Sequence, residues 1–287
     1  MNLLPQTLKI TNFSFLVVGI VRNCDRSIID DVLRLAHCLK NTKSIRWFVV
    51  ESDSTDQTVE KLKYLGEKIV NFEFTSLGFL EKKIPERTKR LAHCRNIYIK
   101  EIQSNFKYKD IDYVIVVDLD GVNQLISVEA LESCWGNDCW DICTANQDGP
   151  YYDIWALRHP LWSPNDCWEQ MKFFQKFEDS VEKNYLQHIY SRMIKIPKDY
   201  EWIEVDSAFG GLAIYRKELF FQSEYNGIDQ NGNQCCEHVS FHEKLKASGA
   251  KIFINPKLIN TSFNEHTKKL RIRQRIKRKL KCLFEIF

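Results

Sequence analysis

Residues 113–121 read Tyr-Val-Ile-Val-Val-Asp-Leu-Asp-Gly: an apolar run, two acids one residue apart, then a glycine. An unbroken apolar run of this length predicts a strand buried on both faces, as in a parallel sheet covered by helices. Ligands of such sheets bind beyond the carboxyl ends of the strands, which is where Asp118 and Asp120 stand. In extended backbone the two carboxylates point the same way. They can share a hard divalent cation, Mn2+ or Mg2+, with substrate phosphates. The competing reading is a solvated turn in which Gly121 only ends the strand.

The sequence before this stretch repeats the alternation. Residues 15–21 and 45–50 are further apolar strand runs, and 68–74 alternates like a strand. Residues 27–39 carry helical periodicity through Ile28, Val32, Leu35 and Leu39, and 56–65 and 87–102 also read as helices. Strand and helix in turn imply an α/β fold: a Rossmann-like, mostly parallel sheet flanked by helices. From residue 146 the character changes. Trp155, Trp162, Trp168 and Trp202 cluster with Tyr151 and Tyr152, and three prolines break long elements. A helix is expected from Asp166, with Glu169 completing a capping box, to about Met193. Later strands are expected at 212–215 and 251–254, with a helix at 239–247. The organisation read is a nucleotide-binding half (1–145), an acceptor-binding half with an aromatic-rich insertion (146–266) and a tail (267–287).

Composition narrows the class. The chain has 287 residues, 44% hydrophobic and 28% charged, which excludes bulk disorder. Ten cysteines occur without a Cys-x-x-Cys pair, so free thiols are expected rather than a zinc site or disulfides. No apolar run approaches the length of a membrane span. Residues 268–281 hold nine Lys or Arg and no acid, so a net charge of +3 leaves −6 on the rest. An acidic body without a reading motif argues against nucleic acid as a partner. In the tail, Ile272, Ile276, Leu280, Phe284 and Phe287 share one helical face among basic residues, the pattern of a basic amphipathic helix on an anionic membrane surface. Docking on the acidic body or on a protein partner is the alternative. The expected location is cytoplasmic, peripheral on the inner face of a membrane.

A second acid cluster, Glu51-Ser-Asp53-Ser-Thr-Asp56, follows the strand at 45–50. A carboxylate there can accept from a nucleobase N–H or a ribose hydroxyl. Ser54, Thr55 and Asp56 can instead cap the next helix, and both roles can coexist. Taken in order, this cluster, Arg90-Leu-Ala-His-Cys-Arg95-Asn96 and Asp118-Leu-Asp120 resemble the GT-A fold of nucleotide-sugar-dependent glycosyltransferases. Phe209-Gly-Gly-Leu-Ala-Ile-Tyr-Arg216 resembles that fold's glycine-containing loop. Cys236-Glu237-His238 stands where the family carries x-Glu-Asp, and His266 where a C-terminal metal-binding histidine is often found. The segments Asn146-Gln147 and Tyr152-Asp153-Ile-Trp155-Ala-Leu-Arg158 are most similar to the capsule-associated alpha-1,3-mannosyltransferase group.

The resemblance implies a hexosyltransferase acting from a nucleotide sugar, GDP-mannose first and a UDP-hexose second, onto a glycan or lipid-linked glycan. It implies Asp118, Asp120 and His266 as metal ligands, with Arg22, Glu51, Asp53, Arg90, Arg95, Asp118 and Gly211 on the donor. For Arg90 and Arg95 a solvated helix face is the rival reading. Glu237, His238 and Asp153 are the catalytic candidates. Tyr152 and Trp155 would meet the acceptor sugar, or else pack in the core. Histidine in place of the usual aspartate base leans the reading towards retention of anomeric configuration. His242, one turn on, reads as a helix-face residue. The alternatives are a nucleotidyltransferase, against which the glycine-free Arg22-Asn-Cys-Asp-Arg26 counts, and a catalytically inactive nucleotide- or glycan-binding scaffold.

Overall fold

The computed structural model describes residues 9–267. Eight strands form one sheet in the order β3-β2-β1-β4-β7-β5-β8-β6. They are β1 (Ser14–Val21), β2 (Ser44–Glu51), β3 (Phe72–Ser76), β4 (Tyr113–Val117), β5 (Ile142–Gln147), β6 (Ile203–Val205), β7 (Leu212–Arg216) and β8 (Ile252–Thr261). β3, β2, β1 and β4 run parallel, β7 is antiparallel to both β4 and β5, and β8 is parallel to β5. The apolar strand runs are two-sided. Leu16, Val18, Val114 and Val116 pack into one core layer, and Phe15, Val17, Ile115 and Val117 into the other. The helices covering the two faces are α1 (Ile28–Leu39), α2 (Thr58–Lys68), α3 (Arg87–Ser104), α4 (Val128–Glu132), α5 (Cys167–Phe174), α6 (Val181–His188) and α7 (Glu237–Ala247). Ile28, Val32, Leu35 and Leu39 all point inward from α1, as their spacing predicts.

Three departures from the sequence pattern have local causes. The third strand begins at Phe72 rather than 68, because α2 continues to Lys68 and Asn71 turns the chain at φ 60°. The expected helix from 166 to 193 is two helices and a 3-10 turn. Asp166 caps α5 by accepting the N–H groups of Trp168 and Glu169, but Ser180 then starts a new helix by accepting the Lys183 N–H. Glu169 pairs with Lys172, so only half of the expected capping box forms. β5 and the short β6 carry no marked apolar run: Thr144, Asn146 and Gln147 on β5 are polar yet fully buried. β5 also crosses residue 145, so the two halves of the chain share a strand.

Among the described residues the nine cysteines are all free, and no helix is long and apolar enough to cross a membrane. The tail at 268–287 lies outside the described residues.

Candidate functional site

The carboxyl end of β4 opens onto a cleft of about 1410 Å³. β4 delivers Asp118 and Asp120, and the segment after β5 delivers Tyr152, Asp153 and Trp155. The start of α7 brings Glu237 and His238, and the last described turn brings His266. Arg22 and Arg95 also line it, as do Arg87, Lys172 and Gln234, which nothing in the sequence pattern marks. Ten expected site residues, from Arg22 to His266, thus meet around one cavity.

Glu51, Asp53 and Arg90 do not line it, and neither does Gly211, which acts through its backbone carbonyl. Glu51 accepts the Ser54 N–H at 2.9 Å and the Ser76 hydroxyl. Asp53, in the left-handed region at φ 60°, accepts the N–H groups of Leu80 and Glu81 at 2.7 and 2.9 Å. Arg90 donates to the carbonyls of Ile84 and Pro85 and lies 3.8 Å from Asp53. These three residues order the segment between β3 and α3, an internal role that sequence order alone could not separate from ligand binding. Arg90 and Arg95 are 7% and 4% exposed, so neither belongs to a solvated helix face.

Arg95 connects the two sides of the cleft. Its Nε donates to Glu237 Oε1 at 2.9 Å, and its Nη2 lies 3.7 Å from Asp118 Oδ1. Burial disfavours its charge, but Tyr98, Glu237, Tyr225 and Asp118 together hold the guanidinium protonated. His238 is 3% exposed and stacked on Phe209 at 3.9 Å. Among the described residues both of its ring nitrogens lack a hydrogen-bond partner, and Nε2 lies 4.0 Å from Glu237 Oε1. Burial, then Arg95 and His242, push its pKa well below the usual value, so the ring is neutral. His242 is fully buried, bonded to the Ser207 and Tyr215 hydroxyls at 2.9 Å each. It is a core histidine rather than a residue on an open helix face. Trp155 is half-buried and donates to Asp166 at 2.8 Å.

The Asp118 loop is held by a turn from β7 and an amide network. Gly210 and Gly211 both have positive φ, 72° and 85°. A Cβ on Gly211 would meet the Tyr152 hydroxyl at 2.6 Å and Val122 at 2.9 Å. The Asp118 N–H donates to the Gly211 carbonyl at 3.0 Å, and Asp153 accepts the Gly210 N–H at 2.9 Å. Asn123 donates to the Asp118 carbonyl at 2.6 Å, and Asn260 donates to Asn123 and Gly210. Asn123 and Asn260 are functional supports that sequence reading misses, because an isolated asparagine gives no spacing signal.

The carboxyl groups stand above their ordinary range. Asp118 is pushed up to about 8, first by loss of water and then by Asp120, against the pull of Arg95. Asp120 is raised by loss of water and by Glu265, and Asp153 chiefly by burial. Among the described residues no three His, Cys, Asp or Glu side chains converge to hold a metal ion. His266 instead stacks on Tyr152 at 5.5 Å. Asp120, which makes no ion pair among the described residues, and Asp118, 3.7 Å from Arg95, fit a Mn2+ or Mg2+ ion that completes its shell with substrate oxygens and water. They do not fit a cation held by the protein alone.

Asp31 on α1 supports the same loop, accepting the Gly121 N–H at 2.8 Å while 2% exposed. Burial raises its pKa from 3.8 to about 6. The folded protein therefore holds an extra proton in that window, and stability falls as pH rises through it. Asp31→Asn is expected to flatten this slope and raise stability at pH 7 by about 1–3 kcal/mol. Melting temperatures of both proteins across the acid range measure it. A slope unchanged in Asp31→Asn removes this assignment.

No protein-family model matches the chain, and no curated protein matches it significantly. Solved structures do. A Staphylococcus aureus TarS fragment in complex with UDP-GlcNAc is similar over 88% of this chain and 59% of its own, at 15% identity and TM-score 0.50. The mannosyltransferase PcManGT from Pyrobaculum calidifontis, in complex with GDP-Man and Mn2+, covers 87% of this chain and 56% of its own at 12% identity and TM-score 0.48. Glucosyl-3-phosphoglycerate synthase from Mycobacterium tuberculosis matches at 12% identity and TM-score 0.41, over 87% of this chain and 67% of its own. The chain thus spans little more than half the length of the first two. The shared architecture is the GT-A glycosyltransferase fold.

Proposed function

We propose that the chain is a metal-dependent glycosyltransferase that moves a hexose from a nucleotide sugar to a hydroxyl of a glycan or lipid-linked glycan. The observation that carries this reading is the Asp118–Asp120 pair at the end of a parallel strand, across one cleft from Glu237 and His238. The similar TarS fold holding UDP-GlcNAc supports a nucleotide-sugar donor. Mannose from GDP-mannose is the first donor to test, on the sequence resemblance, and UDP-hexoses the second. Asp118 and Asp120 would hold Mn2+ or Mg2+, which when bound neutralises charge on the departing diphosphate. Arg22 lies at the rim, 3.2 Å from Glu81, and would meet donor phosphate. Tyr152 and Trp155 would pack on the acceptor sugar and Asp153 would accept from its hydroxyl. Titrating GDP- and UDP-sugars with Mn2+ present, and following slow donor hydrolysis, tests the reading. Binding of none of them refutes it, and binding without hydrolysis or transfer favours an inactive scaffold.

Retention is the proposed course. The departing phosphate oxygen would take the acceptor's proton on the same face, with Glu237 stabilising positive charge at the anomeric carbon. One observation favours a second reading: the neutral, unpartnered ring nitrogens of His238 could accept that proton in an inverting reaction. Under retention, His238→Ala lowers kcat less than Glu237→Gln does. NMR of the first-formed product decides, since a configuration opposite to the donor's assigns the base role to His238.

The tail at 268–287 would hold the enzyme on anionic membrane. The full chain is expected to bind anionic vesicles at low salt and release as salt rises, and a chain ending at 267 to ignore them. No binding by the full chain rejects a membrane role for the tail.

A further inference from the structure

The cleft has two kinds of wall. Near β4 it is lined by carboxylates, Arg22 and His266, whereas α5 and α6 contribute Trp168, Val181, Tyr185 and Leu186, with Glu169, Lys172 and Glu182 beside them. On α6 the spacing 181, 185, 186 is one helical face. That face borders the cavity, and its Tyr185 also packs against the core, as does Trp168. Tyr185 and Leu186 are half-buried, and Val181 is 62% exposed. The two helices are braced against each other: Trp168 packs edge-on against Tyr185 at 5.5 Å, and Asn184 donates to the Met171 carbonyl and to Gln175 at 2.9 Å each. These contacts hold the apolar face in place beside the cavity.

The volume of about 1410 Å³ exceeds the roughly 300–1,000 Å³ usual for one small-molecule site. It leaves room for a second substrate beyond a donor at Asp118 and Asp120. We infer that this apolar arm takes a hydrocarbon chain of the acceptor, so that the acceptor is an amphiphile. Its hydroxyl-bearing head reaches Asp153 and Glu237 and its chain lies along α6. The inference rests on the glycosyl-transfer reading for the identity of the head, and on continuity of the cleft for the chain. Leu186 and Glu237 line the same cavity. A free amphiphile and one anchored in a bilayer present the same chain to the arm.

The test is direct binding, which needs neither the donor nor turnover. Methyl and octyl glycosides of glucose, mannose and galactose are titrated into the full chain below the micelle concentration. The octyl compound of at least one sugar is expected to bind about tenfold tighter or more, since each buried methylene adds to affinity. Leu186→Asp is expected to bring the two affinities together. Phe177→Ser alters an aromatic residue that is 75% exposed and outside the cleft, and is expected to keep the difference. Equal binding of methyl and octyl compounds by the unaltered protein overturns the arm. So does a difference abolished by Phe177→Ser but not by Leu186→Asp. Donor titration in the same protein reads the glycosyl-transfer proposal separately: donor binding without chain preference sinks only the arm, and chain preference without donor binding sinks only glycosyl transfer. Octyl glycoside presented in neutral phosphatidylcholine vesicles separates the sources. Retention of the protein by these vesicles marks a bilayer-borne acceptor, and binding of the monomer alone marks a free one.

Discussion

Asp120→Ala is expected to lower kcat/KM for sugar transfer by about a hundred- to a thousandfold, and excess chelator to do the same to the unaltered protein. Asp120 is exposed in the cleft and makes no ion pair among the described residues, whereas Asp118 already has Arg95 3.7 Å away. The carboxylate without an ion-pair partner among the described residues is the one whose charge remains for a cation. Removing it leaves the fold's supports intact, because the Asp118 N–H, Asn123 and Asp31 hold the loop through backbone atoms. The loss should therefore appear in turnover and donor binding and not in melting temperature. Full turnover by Asp120→Ala, or by the unaltered protein in chelator, removes the metal role.

The second large effect belongs to Arg95. It is 4% exposed and its partner Glu237 also 4%. Taking away one member of a buried pair leaves the other charged and unpaired, which typically costs about 3–5 kcal/mol. Arg95→Met is expected to lose stability on that scale and to lose turnover with it. Glu237→Gln keeps the shape and one acceptor for Arg95, which still has Asp118 at 3.7 Å, so it should lose less stability than Arg95→Met while kcat falls with little change in donor affinity. Combining the two should recover part of the stability that Arg95→Met loses, because the stranded carboxylate is gone. Denaturant melts of the four proteins give the coupling. Additive losses would mean that Arg95 and Glu237 do not act as a pair.

The fold was legible because its strands are apolar on both faces. The runs at 15–21, 45–50 and 113–117 leave no other reading, and their order with the helices dictates a parallel sheet. β5 escaped for the opposite reason. Its buried Thr144, Asn146 and Gln147 are satisfied by partners from distant segments, such as the Pro256 and Gly210 carbonyls, which no local pattern announces. The site divides in the same way. Asp118 and Asp120 are placed by the strand before them, so their position follows from sequence. Asp53 and Asp120 look alike as acids after strands. What separates them is three-dimensional: the backbone of residues 80 and 81 folds back over Asp53, whereas Asp120 lines the cleft. Arg95 was visible as a helix residue, but its bridge to Glu237 crosses 142 positions.

The place of β7 has a consequence for how the chain is made. β4 lies between β1 and β7, and its partner there, Leu212–Arg216, pairs Val117 with Leu212. During synthesis the first four strands emerge well before that partner. Until it arrives, β4 is the edge of a growing sheet, with five apolar residues and a row of unpaired backbone groups. Such an edge invites pairing with other chains. The same late strand carries the glycine turn whose carbonyl fixes Asp118, so an incomplete chain would be both sticky and without an ordered carboxylate pair. Slowed or truncated synthesis between residues 118 and 211 should thus send this protein to aggregates or to chaperones rather than to a partly active form.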